Sequence, residues 1–374
     1  MNIISLVSYP FLPARSGGQK GISLFYKYFS KYHSVTIVTT KKNNPAFAEG
    51  YALLNILSNS RLRYINPFLF FTLRKQIHIH DTSHLILEHP YYGWLGMLLK
   101  KFCRIKLVVH SHNIEGIRWK SLGKWWWRIL WQYEKYTHRN ADFNFFIQDE
   151  DRAYAIKEFG LNPASCLSVS FGTELSQPIP AERRKETGII LRRELQIPDD
   201  TGLFIFNGAF KYSPNLEALE NLLYRINPLL QDKNFSYLIL VLGLDIPELI
   251  REGSYPSVRI LGFVEDLDRY LGSCQIFLNP VISGGGIKTK LVEALAYGLQ
   301  AVSSANGAIG IDPEICNNNL VICPDGDWAN FADAVFRLKD SNFETPSAFY
   351  EHFYWANITE RAARFIGGKV KNKN

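Results

Sequence analysis

Two domains are indicated for a chain of 374 residues and 42.9 kDa, because a domain usually holds roughly 100–200 residues. Hydrophobic residues make up 47% and charged residues 21% of the chain, and this composition excludes a disordered chain and a small disulfide scaffold. The five cysteines, an odd number, form no C-x-x-C pair, which argues against a zinc ribbon or a redox dithiol. The net charge of +7 is uneven, since residues 1–174 hold 22 Lys and Arg against 11 Asp and Glu, whereas residues 175–374 hold 20 against 24.

The N-terminal half begins with an apolar run that we interpret as a β-strand rather than a signal peptide. MNIISLVSYPFLP has no positive n-region, its apolar core is short and prolines interrupt it. Further short runs rich in β-branched residues alternate with helical patterns. No run approaches the ~20 apolar residues of a membrane span, and scattered cysteines fit a reducing compartment, so we predict a cytoplasmic protein. The predicted strands of this half are Ile3–Val7, Val35–Thr39, Leu85–Leu87, Lys106–His110 and Phe143–Ile147.

Two segments of this half combine aromatic and basic residues. Residues 123–139 (GKWWWRILWQYEKYTHR) contain four tryptophans among lysines and arginines, and residues 61–75 (RLRYINPFLFFTLRK) form an apolar run bounded by basic residues. Such compositions suit helices that lie on an anionic membrane surface. They equally fit helices that pack on their own sheet, and ordinary surface charge would also explain the basic half, so the sequence leaves these interpretations open. We find no nucleic-acid-binding motif and predict no nucleic-acid partner.

The C-terminal half repeats the alternation of strands and helices, which predicts a parallel sheet covered on both faces. Because the pattern occurs twice, we predict an α/β protein of two doubly wound domains, residues 1–174 and 203–348. A linker rich in proline and charge would join them at 175–202, and a helix and tail would follow at 349–374. The predicted strands are Leu203–Asn207, Tyr237–Leu242, Val258–Leu261, Ile276–Leu278, Ala301–Ser303 and Leu320–Cys323, with helices at Asn215–Tyr224, Lys290–Tyr297, Trp328–Leu338 and Phe349–Ile366.

The most informative motif follows a predicted strand of the second domain. In NPVISGGGIKTKLVEALAYG (279–298) a triple glycine, 284–286, precedes a helix that carries Lys288, Lys290 and Glu293. Ligands of doubly wound sheets bind beyond the carboxyl ends of the strands, and glycines before a helix let backbone N–H groups approach an anion. Lys290 would add a charge for a diphosphate, and Glu293, one helical turn on, would accept hydrogen bonds from a ribose.

This spacing predicts a nucleoside diphosphate site, although the motif is neither a Walker A loop nor G-x-G-x-x-G. The alternative is a glycine loop beside a solvated Lys–Glu helix face.

The run GGGIKTKLVEALAYGLQAVSSANGAIG (284–310) resembles the donor site of GT-B glycosyltransferases, in particular the retaining, family 4-like enzymes. The resemblance implies a GT-B fold, in which two Rossmann-like domains face a central cleft and the C-terminal helix crosses back to the first domain. The first domain would bind the acceptor and the second the nucleotide sugar. Nearly the whole chain takes part, through PARSGG (13–18), VVHSHNIEGIR (108–118), FNGAFKYSPNLEAL (205–218), LGFVEDLDRYLGSCQIFLNPV (261–281) and HFYW (352–355).

The resemblance also implies roles for individual residues. His112 matches the first-domain histidine that contacts the donor sugar, with His110 as a rival, and Glu115 and Arg118 would place acceptor or donor. Lys290 and Glu293 match the diphosphate lysine and the ribose glutamate. The catalytic residues predicted are thus His112, Lys290 and Glu293; the donor-binding residues predicted are Gly17, Gly18, Asn207, Gly208, Lys211, Gly284, Gly285, Gly286, Ile287 and Lys288.

The chain departs from the pattern of many relatives at three positions. Gly285 stands where they carry the first of two glutamates eight residues apart, which favours backbone contacts to the sugar. Ala209 replaces an arginine on the diphosphate, and Lys211 is its candidate substitute. Gln300 stands in place of a proline, where we expect a structural role only.

The reaction implied is transfer of a sugar from a nucleoside diphosphate, a UDP- or GDP-sugar, to a hydroxyl with retention of configuration. No cofactor or metal is expected, since no DxD-type pair follows a strand at a position suited to a metal-bound donor, and the resemblance implies a metal-independent site. The expected acceptor is a glycan or lipid-linked glycan of surface polysaccharide or glycolipid synthesis, with peripheral contact of the first domain to the inner face of an anionic membrane. The alternatives are a non-catalytic scaffold in polysaccharide assembly and, on the same fold, a sugar-nucleotide epimerase or a phosphorylase.

Overall fold

The structure, a computed structural model, describes residues 1–14, 16–341 and 344–367. The chain forms two compact units: the first consists of Met1–Phe171 together with the segment from Trp355 onward, and the second of Gly172–Tyr354. Within the loop predicted at 13–18, Arg15 lies outside the described residues, and so does the tail beyond Gly367.

The first unit is built on seven parallel strands in the order β3-β2-β1-β4-β5-β6-β7. Side chains of α2 and α3 form one apolar core with β1, β4 and β5, in which Leu73, Leu85 and Leu99 are fully buried. The strands are β1 Asn2–Leu6, β2 Ser34–Thr40, β3 Ala52–Leu57, β4 His84–Glu88, β5 Lys106–Ser111, β6 Phe143–Phe146 and β7 Cys166–Ser168; the helices are α1 Gly17–Phe29, α2 Leu69–Ile79, α3 Gly93–Cys103, α4 Glu115–Ser121, α5 Trp127–Asn140 and α6 Asp149–Tyr154.

The second unit repeats this design with six parallel strands in the order β10-β9-β8-β11-β12-β13. Its core joins all six strands to the helices on one face. The strands are β8 Gly202–Ala209, β9 Tyr237–Leu244, β10 Val258–Gly262, β11 Ile276–Asn279, β12 Gln300–Ser304 and β13 Leu320–Cys323; the helices are α7 Ala181–Leu195, α8 Ser213–Asn221, α9 Asn227–Gln231, α10 Glu248–Glu252, α11 Leu267–Ser273, α12 Thr289–Ala296, α13 Trp328–Leu338 and α14 Ser347–Phe353.

The predicted fold class, two doubly wound parallel domains, is confirmed. Every predicted strand has a counterpart, but β3 and β7 were not predicted. Both are edge strands, and β3 is mostly half-exposed. An edge strand does not need the continuous apolar run by which buried parallel strands are found.

The segments that join the units differ from the sequence-based expectation. The predicted linker 175–202 contains α7, a 15-residue helix that packs on α11 of the second unit. The single helix predicted at 349–366 is two helices, because the backbone at Tyr354 is extended (φ −68°, ψ 125°) and pairs with Thr173. The second of them, α15 (Trp355–Gly367), packs on α1 and places Phe365 5.5 Å from the ring of Phe143.

The tryptophan-rich segment is neither wholly surface nor wholly core. Helix α5 buries a polar face made by Glu134, Thr137 and His138. Trp125 and Ile129, at its start, remain 84% and 67% exposed. Among the described residues, no helix combines the length and apolar character needed to cross a membrane.

Candidate functional site

The glycine-rich loop of the second unit connects β11 to α12. Gly284 and Gly286 have φ angles of +83° and +76°, which favour glycine. A Cβ on Gly284 would also lie 2.7 Å from the hydroxyl of Tyr212 and 3.1 Å from Pro214. A larger residue at 284 would therefore strain the loop, whose N–H groups lie at the carboxyl end of β11, before the N-terminus of α12.

Lys290, in the first turn of α12, is a buried cation held by uncharged groups. Its Nζ lies 3.0 Å from Oδ1 of Asn215, 3.3 Å from the carbonyl oxygen of Asn207 and 4.4 Å from the ring centroid of Phe206. Burial, and then the neighbouring Lys288, lower its pKa to about 7. No carboxylate pairs with Lys290 in the part of the chain that the structure describes. A buried cation without a counter-ion is costly, and the arrangement is suited to an anionic ligand.

The other predicted residues of this motif occupy different positions. Lys288 donates to the carbonyl oxygens of Gly284 (3.1 Å) and Gly286 (2.8 Å), so its ammonium holds the loop in shape. Burial lowers the pKa of Lys288 to about 8. Glu293 is half-buried on α12, and Ile287 packs beside Gly310.

The end of β8 lies next to this loop. Asn207 and Gly208 are the two residues before the last residue of this strand. The buried Oδ1 of Asn207 has no hydrogen-bond partner among the described residues. Asn215, on α8, donates to the carbonyl oxygen of Ala209 (3.0 Å) while it accepts from Lys290. Lys211 is exposed in the intervening turn. No role was predicted for Asn215, although an asparagine in the first turn of a helix that follows a strand is a usable signal.

In the first unit, the predicted histidine belongs to a buried cluster at the ends of β4 and β5. His112 donates from Nε2 to Oε2 of Glu88 (2.6 Å), and its rival His110 donates from Nδ1 to Oε1 (3.0 Å). The hydroxyl of Tyr26 donates to the same carboxylate at 2.5 Å. Burial by itself would raise the pKa of Glu88, but the two histidines hold it well below its usual range. Glu88 is therefore a buried anion that fixes both imidazoles.

A second cluster adjoins the first through His89, whose ring centroid lies 4.5 Å from that of His112. Oε2 of Glu115 accepts from the hydroxyl of Tyr91 (2.6 Å) and from Arg118 (3.0 Å). Burial would raise the pKa of Glu115, but His89, Tyr91 and Arg118 lower it to about 2. Glu115 and Arg118 thus form an ion pair at the start of α4, in which the carboxylate is buried and the guanidinium is about half exposed.

The structure contains one cluster, among the described residues, with the donor set of a metal site. Donor atoms of Glu88, His110 and His112 lie within 4.8 Å of one another. The carboxylate of Glu88 accepts a hydrogen bond from each histidine and from Tyr26, so a metal ion would have to displace these hydrogen bonds. The sequence missed Glu88, although a carboxylate that ends a buried strand is a signal for a functional group.

Gly17 and Gly18 form the first turn of α1. A Cβ on Gly18 would meet nothing within 4 Å. The fold therefore does not require a glycine at 18, and its role in binding a donor stays a prediction.

The comparisons with known proteins match both units. A model of "Glycosyltransferase Family 4" matches residues 16–172, and a model of "Glycosyl transferases group 1" matches residues 201–341. The amylovoran biosynthesis glycosyltransferase AmsK of Erwinia amylovora is 35% identical over 91 residues, which are 22% of each chain. The chain thus spans about a fifth of the length of this curated relative.

Solved structures match over the full chain. Anabaena HepE in complex with UDP matches with a TM-score of 0.72 and 13% identity, covering 99% of this chain and 100% of HepE. The lipopolysaccharide outer core galactosyltransferase WaaB in its apo form matches with a TM-score of 0.66 and 13% identity, with the same coverage. At such identities the match establishes the fold.

Proposed function

We propose that this chain, which belongs to the family 4-like glycosyltransferases with the GT-B fold, takes its sugar from a nucleoside diphosphate sugar, with UDP or GDP as the leaving group. One matched structure of HepE contains UDP, and a second structure of the same protein contains UDP-glucose. Both support a donor of this class. The acceptor we propose is a hydroxyl of a glycan or lipid-linked glycan.

The observation that carries the proposal is the environment of Lys290. Its ammonium has only neutral acceptors and lies next to the glycine-rich loop that precedes α12. When the bond from the anomeric carbon to the phosphate oxygen breaks, negative charge grows on the leaving diphosphate. Donors fixed toward that charge stabilise the transition state, and removal of one typically costs about 10²–10³ in rate.

We propose the remaining roles from the resemblance of these residues to those of the family. Glu293 would accept hydrogen bonds from the ribose, and the unpartnered Oδ1 of Asn207 would accept one from the donor. His112 would contact the sugar near the reacting carbon, oriented by Glu88. We propose retention of configuration with the departing phosphate as the acceptor of the incoming hydroxyl's proton, so that no side chain serves as catalytic base. We also propose that no metal takes part, so activity should persist in EDTA.

The acceptor and the setting are part of the same proposal. AmsK and WaaB are described as glycosyltransferases of amylovoran biosynthesis and of the lipopolysaccharide outer core. By analogy, we propose a surface polysaccharide or glycolipid acceptor, met in the cytoplasm at the inner face of a membrane.

The test is nucleotide-dependent thermal stabilisation. A nucleotide at 100 times its dissociation constant stabilises a protein by about 2.7 kcal/mol, so UDP or GDP should raise the melting temperature while ADP should not. Lys290→Ala should abolish this increase, each variant being compared with its own melting temperature without ligand. Lys185→Ala, at an exposed lysine of the same unit, is the matched control and should respond like the wild type. No shift with any nucleotide would contradict the proposed donor site.

A further inference from the structure

We propose that the outer surface of the helical layer α2, α3 and α5 in the first unit binds anionic phospholipid membranes. The proposal rests on the proposed function only in its expectation of a membrane-borne acceptor. We call this surface the basic apolar face. Its exposed side chains are the apolar Leu62, Ile65, Phe68, Phe71, Leu98, Phe102, Leu122, Trp125 and Ile129 and the basic Arg61, Arg74, Lys75, Lys101, Lys120, Lys124 and Arg128.

The three helices form one continuous layer. Helix α3 packs against α2 on one side and α5 on the other. Trp94, on α3, donates from its indole to the carbonyl oxygen of Tyr64 (2.9 Å), and its backbone N–H donates to the hydroxyl of Tyr133 on α5 (3.0 Å). The ring of Phe70 lies 5.4 Å from Phe71 and 5.6 Å from Phe102. The two aromatic segments predicted separately from the sequence therefore belong to one surface.

The apolar side chains of the face are arranged by helical spacing. Leu62 and Ile65 lie one turn apart in a 3-10 helix, and Phe68 and Phe71 lie one turn apart at the start of α2. Their exposed fractions are 68%, 72%, 73% and 65%, while Leu69 and Leu73 of the same helix are buried. Single exposed apolar residues need no explanation, but a group of them in one layer marks an interaction surface.

The charge of the face is more one-sided than the sequence indicates. Residues 50–141 hold fourteen Lys and Arg against four Asp and Glu. Three of those four carboxylates, Glu88, Glu115 and Glu134, are buried at 0–1% exposure. These carboxylates accept hydrogen bonds from histidine, from Arg118 and from backbone N–H groups of α4. Asp81 is the one exposed carboxylate of this region, so the surface presents cations almost alone.

A lipid surface fits this combination better than another macromolecule. Aliphatic and aromatic side chains between lysines and arginines enter the boundary between headgroups and acyl chains, while the cations pair with lipid phosphates. A nucleic acid would use the cations but offers no apolar phase to Ile65, Phe68 or Ile129. Lys120 and Arg128 lie 4.9 and 5.4 Å from the ring centroid of Trp127, an arrangement that keeps charge beside an amphipathic ring.

The test is co-sedimentation of the full chain with vesicles, without donor or acceptor. We expect binding to phosphatidylglycerol–phosphatidylcholine vesicles, little binding to phosphatidylcholine alone, and loss of binding as salt rises. Phe68→Ser with Phe71→Ser, and separately Arg74→Gln with Lys75→Gln, should each weaken binding by about tenfold. The matched control is Ile190→Ser with Leu249→Ser, two residues of the second unit that are 51% and 88% exposed; it should bind like the wild type.

Three results would overturn the proposal. The first is no binding to anionic vesicles at low salt, and the second is equal vesicle binding by the control and by both double variants of the first unit. The third is a dimer that forms without vesicles and that Phe68→Ser with Phe71→Ser dissociates. The last result would make the face a contact between two copies of the chain. Thermal stabilisation by UDP or GDP, measured on the same variants, reports the donor site independently. Loss of vesicle binding with unchanged nucleotide response therefore separates this proposal from the proposed function.

Discussion

Lys290 lies among neutral and positive groups, and its protonation is therefore coupled to whatever anion binds beside it. In the free protein its pKa is about 7, well below the usual value of a lysine. A bound diphosphate favours the ammonium form and raises that pKa. At low pH the ammonium is already present, whereas above pH 7 binding must take up a proton.

We therefore predict that affinity for the nucleoside diphosphate falls as pH rises from 7 to 9, approaching about tenfold per pH unit. The phosphate itself, with a second pKa of about 6, stays dianionic over this range. Calorimetric titrations in buffers of different ionisation enthalpy measure both the affinity and the proton uptake. Lys290→Arg keeps a charge at every pH and should bind with little pH dependence. A wild-type affinity that is flat between pH 7 and 9 would contradict the coupling.

Glu88 shows how a buried carboxylate can act through its neighbour. It has no access to a ligand of its own, but it orients His112 and fixes its tautomer with Nε2 protonated. This makes it a positioning residue for the proposed sugar contact.

We predict that Glu88→Gln lowers kcat by up to about 10²-fold, because an imidazole that is misplaced by a fraction of an ångström loses its alignment. Nucleotide-dependent stabilisation should be unchanged, since the diphosphate loop lies in the second unit. Glu88→Asp should recover part of kcat. Asp142→Asn, which removes a partly buried carboxylate paired with Lys100 and Lys106 on the same sheet, controls for lost stability. An unchanged kcat in His112→Asn would contradict the contact of His112 with the sugar. A kcat that falls in His112→Asn but not in Glu88→Gln would contradict the positioning role of Glu88.

At the scale of elements, the β11–α12 loop and the start of α1 both contain glycines, but for different physical reasons. In the β11–α12 loop, glycine is required by backbone conformation and by the proximity of Tyr212. At the start of α1, the space beside Gly18 is open and its φ is not positive.

We predict that Gly284→Ala destabilises the protein by about 1–2 kcal/mol, the usual cost of a Cβ in a left-handed conformation, and weakens nucleotide binding. Gly18→Ala should keep or raise stability, by up to about 1 kcal/mol, because alanine is the better helix former. Urea unfolding gives the stabilities, and kcat/KM gives the function. A fall in kcat/KM for Gly18→Ala at full stability would mean that a ligand approaches this turn closely. Equal stability of Gly284→Ala and wild type would contradict the steric argument.

At the scale of the whole molecule, the chain leaves the first unit after Phe171 and returns to it at Trp355. The return is made by α15, whose apolar side chains, among them Ile358, Ala362 and Ile366, are buried. The strand-like pairing of Thr173 with Tyr354 brings the outgoing and returning segments side by side within the second unit. Charge is also unevenly divided, since the first half of the chain holds the excess of cations and buries three of its carboxylates, Glu88, Glu115 and Glu134.

The sequence by itself determined the architecture and the position of the glycine-rich motif that we propose binds the diphosphate. Alternating β-branched runs and helical patterns are local properties, and so is a glycine run before a helix that carries Lys290 and Glu293. Edge strands β3 and β7, helix α7 and the break at Tyr354 escaped this reading, because exposed or polar segments take their structure from what they pack against. Only the tertiary structure joined Glu88 to His112, Asn215 to Lys290, and the two aromatic segments to one surface. These groups are 24, 75 and about 60 residues apart in the chain, and no local pattern encodes a contact over such a separation. The burial of Glu88, Glu115 and Glu134 could likewise not be predicted, since composition counts charges but does not say which of them face water.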